Sequence, residues 1–390
     1  MRLNATAPER TGRLAYVDGL RAVAVLLVIA FHTRLHTPNV DLGEFFKECS
    51  HGVDLFFVLS GFCLGLPVLE RLRTSGVSRF DVAGFAVKRC LRILPPYVAA
   101  VLLFAIAASI ALANGIPLPP GMTTTFDWSD VVAELVFFDR NLHHLNASFW
   151  SLAVEFRWYI VFPLAIALWN ARPRAFALVI VLIILAAEET RASSTDLGVM
   201  DAFLLGIIAA HWRVNGNRLA RSGPLFIFGG SIIGLVVERS YHFPIQTNFG
   251  WHVAAFGLVV YAGRAIWLQR ILSNRALVAV GIGSYSIYLV HEPIVSATVR
   301  ALAPFASPYL AGFVAFSFAL AGGAFLWALV ERPISNRLLV TRIVANLRHP
   351  VARAMESMHL PADFEMRRPS EPKPPNSREA QMSASIPTPV

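Results

Sequence analysis

Two ionisable residues, Arg21 and His32, share the apolar stretch YVDGLRAVAVLLVIAFH near the start of the chain. Ionisable groups at membrane depth are costly and mark function by default. Eleven residues at about 100° each return His32 to within roughly 20° of Arg21, about 16 Å further along a helix. One helix face therefore presents a cation near one membrane surface and an imidazole, a general base at neutral pH, near the other.

The elements that must position this pair are legible in composition. Of 390 residues, 55% are hydrophobic and 15% charged, with mean hydropathy +0.56. Apolar runs of about 15 to 24 residues recur to about residue 330, which predicts an all-α fold, a polytopic transmembrane helix bundle of about ten spans. The runs cover roughly 19–36, 52–69, 94–114, 149–169, 174–188, 197–213, 224–238, 250–268, 278–299 and 308–330. Val131 to Phe138 reads as an interfacial or re-entrant piece. With the N-terminus inside, seventeen Lys and Arg fall on inner segments before the tail and six on outer ones. That asymmetry predicts cytoplasmic termini and a multi-pass protein of the inner or plasma membrane. It also accounts for the net charge of +9 without a nucleic-acid partner.

The first run lacks a small-x-small cleavage site and reads as a retained span. Cys49, Cys63 and Cys90 fall in an outer loop, a span and an inner loop, so neither a disulfide framework nor a metal site is expected. Three regions follow: a cytoplasmic segment 1–14, a membrane domain 15–335, and a cytoplasmic, largely disordered basic and Pro-rich tail 336–390. Truncation after about residue 345 is expected to be tolerated.

Polar residues inside the spans sort into two layers. Asp54 in GVDLFFVLSGF, Ser151 and Glu155 in FWSLAVEFRWY, and Tyr288, His291 and Glu292 in SYSIYLVHEPI all fall in the outer layer with His32, a set able to shuttle protons. The inner layer is cationic. Arg89 and Arg92 of KRCLRILPPY sit i, i+3 just before the third span, where two guanidiniums can fork onto phosphate oxygens, and Arg21 lies at a comparable depth. Glu331 and Arg332 of VERPIS join them. A polyphosphate anion entering from the cytosol suits this layer, with a proton-abstracting site across the membrane from it.

Each feature has a plainer reading. Arg89 and Arg92 alone are ordinary positive-inside anchors, and His36 or His291 alone an interfacial residue. Glu155 can pair with Arg157, although the two point about 200° apart on a helix. Trp150, Trp158 and Tyr159 form an aromatic belt as readily as a binding surface. Arg21 with His32 is the pair that resists such a reading.

Taken in order, DGLRAVAVLLVIAFH, GVDLFFVLSGF, the paired arginines of RCLR, Trp150, Ser151 and Glu155 of FWSLAVEFRWY, SYSIYLVHEPI and ERPIS resemble the motifs of the acyltransferase 3 family over about residues 15–335. The resemblance implies a single-domain membrane O-acyltransferase. Such a protein moves an acyl group, usually acetyl, from cytoplasmic acyl-CoA to a hydroxyl of an extracytoplasmic or membrane-linked carbohydrate or glycolipid. Acyl-CoA is then a co-substrate, with no permanently bound cofactor. His32 would be the base that activates the acceptor hydroxyl. Asp54 or Glu155 would orient its ring, and Arg21, Arg89 and Arg92 would bind the CoA phosphates. Trp150, Tyr288 and His291 are candidate substrate contacts, and Ser151 is a covalent nucleophile only if a base lies beside it. A transporter or flippase using the two layers as a path is the competing class, and a membrane scaffold with structural charges is the third.

Overall fold

The computed structural model describes residues 14–37, 44–118, 128–137, 146–189, 195–239 and 248–367. Helix α1 (Ala15–His36) is followed by the short α2 (Glu44–Glu48) and by α3 (Gly52–Ser75). Strand β1 (Val77–Asp81) leads into α4 (Val82–Ala113), and α5 (Trp128–Leu135) precedes α6 (Trp150–Ala171). Next come α7 (Pro173–Glu189), α8 (Thr195–Asn215), α9 (Gly223–Arg239), α10 (Phe249–Ala262), α11 (Ile266–Leu272) and α12 (Arg275–Ile282). The chain continues through α13 (Ser284–Leu302), α14 (Pro308–Leu326), the one-turn α15 (Arg332–Ile334), α16 (Arg337–Ser357) and β2 (Asp363–Arg367).

Each predicted apolar run lies on helix. By length and composition, seven helical stretches among the described residues can cross a membrane, or up to nine if each of two bent pairs is one span. The bent pairs are α10 with α11, at 100°, and α12 with α13, at 75°. Helix α7 adds a shorter apolar stretch, Pro173–Ala186. Leu102, Leu103, Ile106 and Ile110 of α4 and Phe313, Phe318 and Phe325 of α14 are exposed. Apolar faces of this extent suit lipid rather than water, as a multi-pass membrane protein requires.

Within the bundle α1 packs against α3, α12, α13 and α14, and α3 against α8. Lipid tails are as apolar as leucine, so helix association depends on close packing at small residues. A Cβ on Gly61 of α3 would collide with the Phe203 carbonyl oxygen of α8, and one on Gly281 of α12 with the Asp18 carbonyl oxygen of α1. These crossings fix the helices that carry Ser60, Arg21 and His32.

Two expectations change. Helix α4 starts at Val82, where the Asp81 carboxylate accepts from Gly84 N at 2.9 Å, so Arg89 and Arg92 lie inside the helix. Hydropathy located the apolar part of this helix, whereas a side-chain cap set its start. The tail, expected to be largely disordered from residue 336, is helical over α16 and packs on α4. Leu338, Leu339, Ile343, Val344, Leu347 and Val351 give this segment an apolar stripe that its Pro-rich sequel lacks. Beyond it, β2 pairs antiparallel with β1, in register from Val77 with Arg367 to Asp81 with Asp363, and the Phe80 and Phe364 rings meet at 5.3 Å. Segment 1–13, the end of the tail at 368–390, and Arg140 and Arg191 of the charge count lie outside the described residues.

Gly61→Ala is expected to lower the melting temperature of the detergent-solubilised protein by several degrees, because overpacking costs about 1–3 kcal/mol. Truncation after residue 345 cuts α16 and removes β2, so a similar loss is now expected; an unchanged melting curve would contradict it.

Candidate active site

His32 lies one turn from the end of α1, with its side chain 14% exposed. Its Nδ1 is 2.9 Å from the Val28 carbonyl, four residues back. A carbonyl only accepts, so Nδ1 carries a proton, and in the neutral ring Nε2 is the nitrogen with the free lone pair. By the same reasoning His291 Nδ1 donates to Tyr288 O at 2.6 Å, leaving His291 Nε2 as an acceptor 3.3 Å from His32 Nδ1. His32 Nε2 faces Glu292 Oε2 at 3.7 Å, and His36 Nε2 faces Glu292 Oε1 at 3.9 Å. The Ser148 hydroxyl donates to Glu292 Oε2 at 2.5 Å. The arrangement presents a base at His32 Nε2 with a buried carboxylate beside it that would stabilise the imidazolium.

Ser151 and Tyr288 share a hydrogen bond at 2.6 Å, and the hydroxyl that accepts in that bond donates to the Ser148 carbonyl, which lies 3.2 Å from both. Neither partner of Ser151 is a base, so the condition for a covalent serine is not met here. Both residues line a small cavity of about 70 Å³. Glu155 lines this cavity too, and its Oε1 accepts from Ser60 at 2.8 Å and Tyr159 at 2.6 Å. Arg157 turns away to Asp196 at 2.8 Å, which closes the Glu155 to Arg157 alternative.

Arg21, Arg89 and Arg92 line the same cavity as Ser151 and Tyr288. Arg21, Cys63 and Arg92 also line an open vestibule with Glu331 and Arg332. Arg89 lies over the rings of Phe85 and Tyr159 at 5.4 and 5.5 Å, with its Nε buried and without a hydrogen bond. Arg92 is exposed, and Arg21 pairs with Asp18 at 3.4 Å. The end of α14 widens into a single π turn, Trp327–Glu331, and Ser286 donates to Glu331 Oε2 at 2.7 Å. Such turns recur at functional sites.

Asp54 departs from expectation. It pairs with His51 Nδ1 at 2.6 Å and His252 Nε2 at 3.2 Å, while His252 Nδ1 meets Asp201 Oδ2 at 2.8 Å. His252 is fully buried between two carboxylates, an arrangement that suits a ring protonated on both nitrogens. Asp54 is thus spent on a bridge joining α3, α8 and α10, and Val28, His291 and Glu292 surround His32 instead. Glu155 likewise does not orient His32. Trp150 packs edge-on against Phe57 at 6.1 Å and does not line the cavity.

Sequence reasoning left Asp201 and His252 out of the candidate set, although an ionisable residue inside an apolar helix was signal enough. Asn146 and Ser148 carried no signal, because they lie in a loop before α6. Val131 to Phe138 reads from sequence as interfacial or re-entrant. Its described part lies on and after α5, where Tyr97 donates to Glu134 O at 2.9 Å and Phe137 stacks on Tyr97 and Phe156 at 4.5 and 4.7 Å. Among the described residues no cluster of three or more His, Cys, Asp or Glu is arranged to hold a metal ion.

Residues 14–330 match the acyltransferase 3 family, described as an acyltransferase domain, and the chain belongs to that family. It is similar to O-acetyltransferase OatA of Staphylococcus aureus (strain NCTC 8325 / PS 47), at 25% identity over 320 residues, covering 72% of this chain and 50% of that protein. It is also similar to the S. aureus (strain COL) protein named "Putative O-acetyltransferase SACOL0978", at 22% identity over 314 residues with the same coverage. The chain spans about half the length of the curated relatives it matches. No solved structure matches it.

His252→Ala removes the imidazole between two buried carboxylates, leaving Asp201 without its His252 partner and Asp54 with its contact to His51. A loss of about 3–5 kcal/mol is expected, read as a lower melting temperature or as failure to yield a monodisperse peak in detergent. Wild-type behaviour would contradict the bridge.

Proposed function

We propose that this protein is a membrane O-acyltransferase. It takes an acyl group, acetyl in the simplest case, from acyl-CoA on the arginine-lined side of the bundle and passes it to a hydroxyl of a carbohydrate or glycolipid on the His32 side. The observation that carries the reading is the cavity lined by Arg21, Arg89 and Arg92 at one end and by Ser151 and Tyr288 at the other. Family membership and the names of the relatives support the reaction class. The reading includes ten spans, cytoplasmic termini and a place in the inner or plasma membrane, for which the distribution of Lys and Arg is the support.

The three arginines bind the CoA phosphates through charge-assisted forks, with the exposed Arg92 facing the vestibule. The pantetheine arm extends through the cavity past Cys63 and Glu155 and brings the thioester toward Tyr288. His32 Nε2 takes the proton of the acceptor hydroxyl as its oxygen attacks the thioester carbonyl. Glu292 stabilises the imidazolium, and the Tyr288 hydroxyl donates to the developing oxyanion. As the C–S bond breaks, the thiolate leaves and recovers the proton from His32. Transfer is direct, because the Ser151 hydroxyl has no base beside it.

A cavity lined by charged and polar groups inside a helix bundle also suits a transporter, so the deciding experiment follows the label. Acetyl-labelled acetyl-CoA is supplied to the arginine-lined face of vesicles, and label is counted in the glycan fraction. Wild type is expected to transfer label, and His32→Ala at matched protein level to lose about 10²–10⁴-fold. Equal label from both removes His32 from the mechanism. Label that crosses still attached to intact donor favours transport.

Donor binding has a separate test. Arg89→Ala and Arg92→Ala are expected to raise the KM for acetyl-CoA by roughly tenfold or more, each removing a charged hydrogen bond of about 1.5–3 kcal/mol. Acetyl-CoA should also slow maleimide labelling of Cys63; equal labelling with and without donor would place the arm elsewhere.

A further inference from the structure

Pro293 follows His291 and Glu292 in α13 and has no N–H to give to the Leu289 carbonyl four residues back. Leu289 is fully buried, so water does not replace that donor. Asn146, also fully buried, supplies it: Nδ2 donates to Leu289 O at 2.9 Å. The oxygen of the same amide accepts from Ser148 N at 2.9 Å and caps the turn Ala147–Phe149 that opens α6. That turn aims the Ser148 hydroxyl at Glu292, the carboxylate shared by His32 and His36. The loop before α6 is thus pinned to α13 at two points: a carbonyl freed by proline, and the carboxylate three residues further on.

We propose that Asn146 is a positioning residue for the transfer reaction. By occupying the carbonyl that Pro293 leaves free, it locks Ser148 onto Glu292 and so holds that carboxylate beside His32. The inference rests on the reading of His32 as the base. A loop cap with a merely structural role would stabilise the turn without acting through Glu292, and that difference is measurable.

Steady-state transfer from acetyl-CoA is compared in wild type, Asn146→Ala, Glu292→Gln and the double variant, each checked for a monodisperse peak in detergent. Asn146→Ala is expected to lower kcat by about 10- to 100-fold, the scale of a misplacement of about 1 Å, with the KM for acetyl-CoA within about twofold of wild type. In the Glu292→Gln background the same change should cost nothing further, because the two act as one unit. Pro293→Ala, which returns a backbone donor to Leu289 O, should reduce the cost of Asn146→Ala to less than about threefold. Wild-type kcat in Asn146→Ala, an equal loss in the Glu292→Gln or Pro293→Ala background, or a raised KM with unchanged kcat would each overturn the proposal. If Asn146→Ala does not fold, Asn146→Asp keeps the oxygen cap on Ser148, removes the donor and is read in the same way. If wild type itself transfers nothing, the assignment of His32 fails. The latch is then read by hydrogen exchange: faster exchange at the Ser148 and Phe149 amides in the variant supports it, and unchanged exchange overturns it.

Discussion

A carboxylate or imidazole inside a lipid-facing helix bundle has no bulk water to turn to, so it is held by partners on neighbouring helices or it is not tolerated. The rest of this structure depends on that constraint. Glu292 is surrounded by the Ser148 hydroxyl, His32 and His36; Asp54 and Asp201 share His252; Glu155 takes hydroxyls from Ser60 and Tyr159; Glu331 takes one from Ser286. Each acid draws at least one partner across a helix boundary, so the polar groups that suit chemistry also hold the bundle together. The helices can approach closely enough to make these contacts because glycines stand at the crossings of α1 with α12 and of α3 with α8.

The arginines obey the constraint differently. Arg89 lies over two aromatic rings with its Nε unsatisfied, and Arg92 is exposed to the vestibule with no ion pair among the described residues. Cations left with spare donors beside a cavity are suited to an anionic ligand, whereas the acids at the other layers are already satisfied. This contrast gives the cavity a direction: unsatisfied positive charge at one end, hydroxyls at the other, and the His32 and Glu292 pair adjacent through the Tyr288 and His291 rings, 5.2 Å apart. Proline contributes by subtraction. Pro293 frees one buried carbonyl, and a loop amide rather than a helix neighbour fills it, tying the entrance of α6 to the carboxylate beside His32.

The helical class, the apolar runs and the placement of Arg21 and His32 along one helix were all legible in the sequence. They rest on local quantities: hydropathy over about twenty residues and a 100° step per residue. Folding of the tail over α16 was legible too, in the apolar stripe from Leu338 to Val351, but the Pro-rich composition of the chain beyond it masked that signal. The pairing of β2 with β1 joins segments far apart in sequence, and no local pattern announces it.

The sequence alone determined which ionisable groups enter the membrane domain and their order along each span, because both follow from position in the chain. Tertiary structure decided which of them meet. Rotation of each helix about its axis, and the partner it faces, depend on packing against several others at once, so Asp54 went to His252 and His51, Glu155 to Ser60 and Tyr159, and His32 to Val28, His291 and Glu292. Order along a span is a one-dimensional property that a chain carries by itself, whereas azimuth is shared among neighbours and exists only once they are packed.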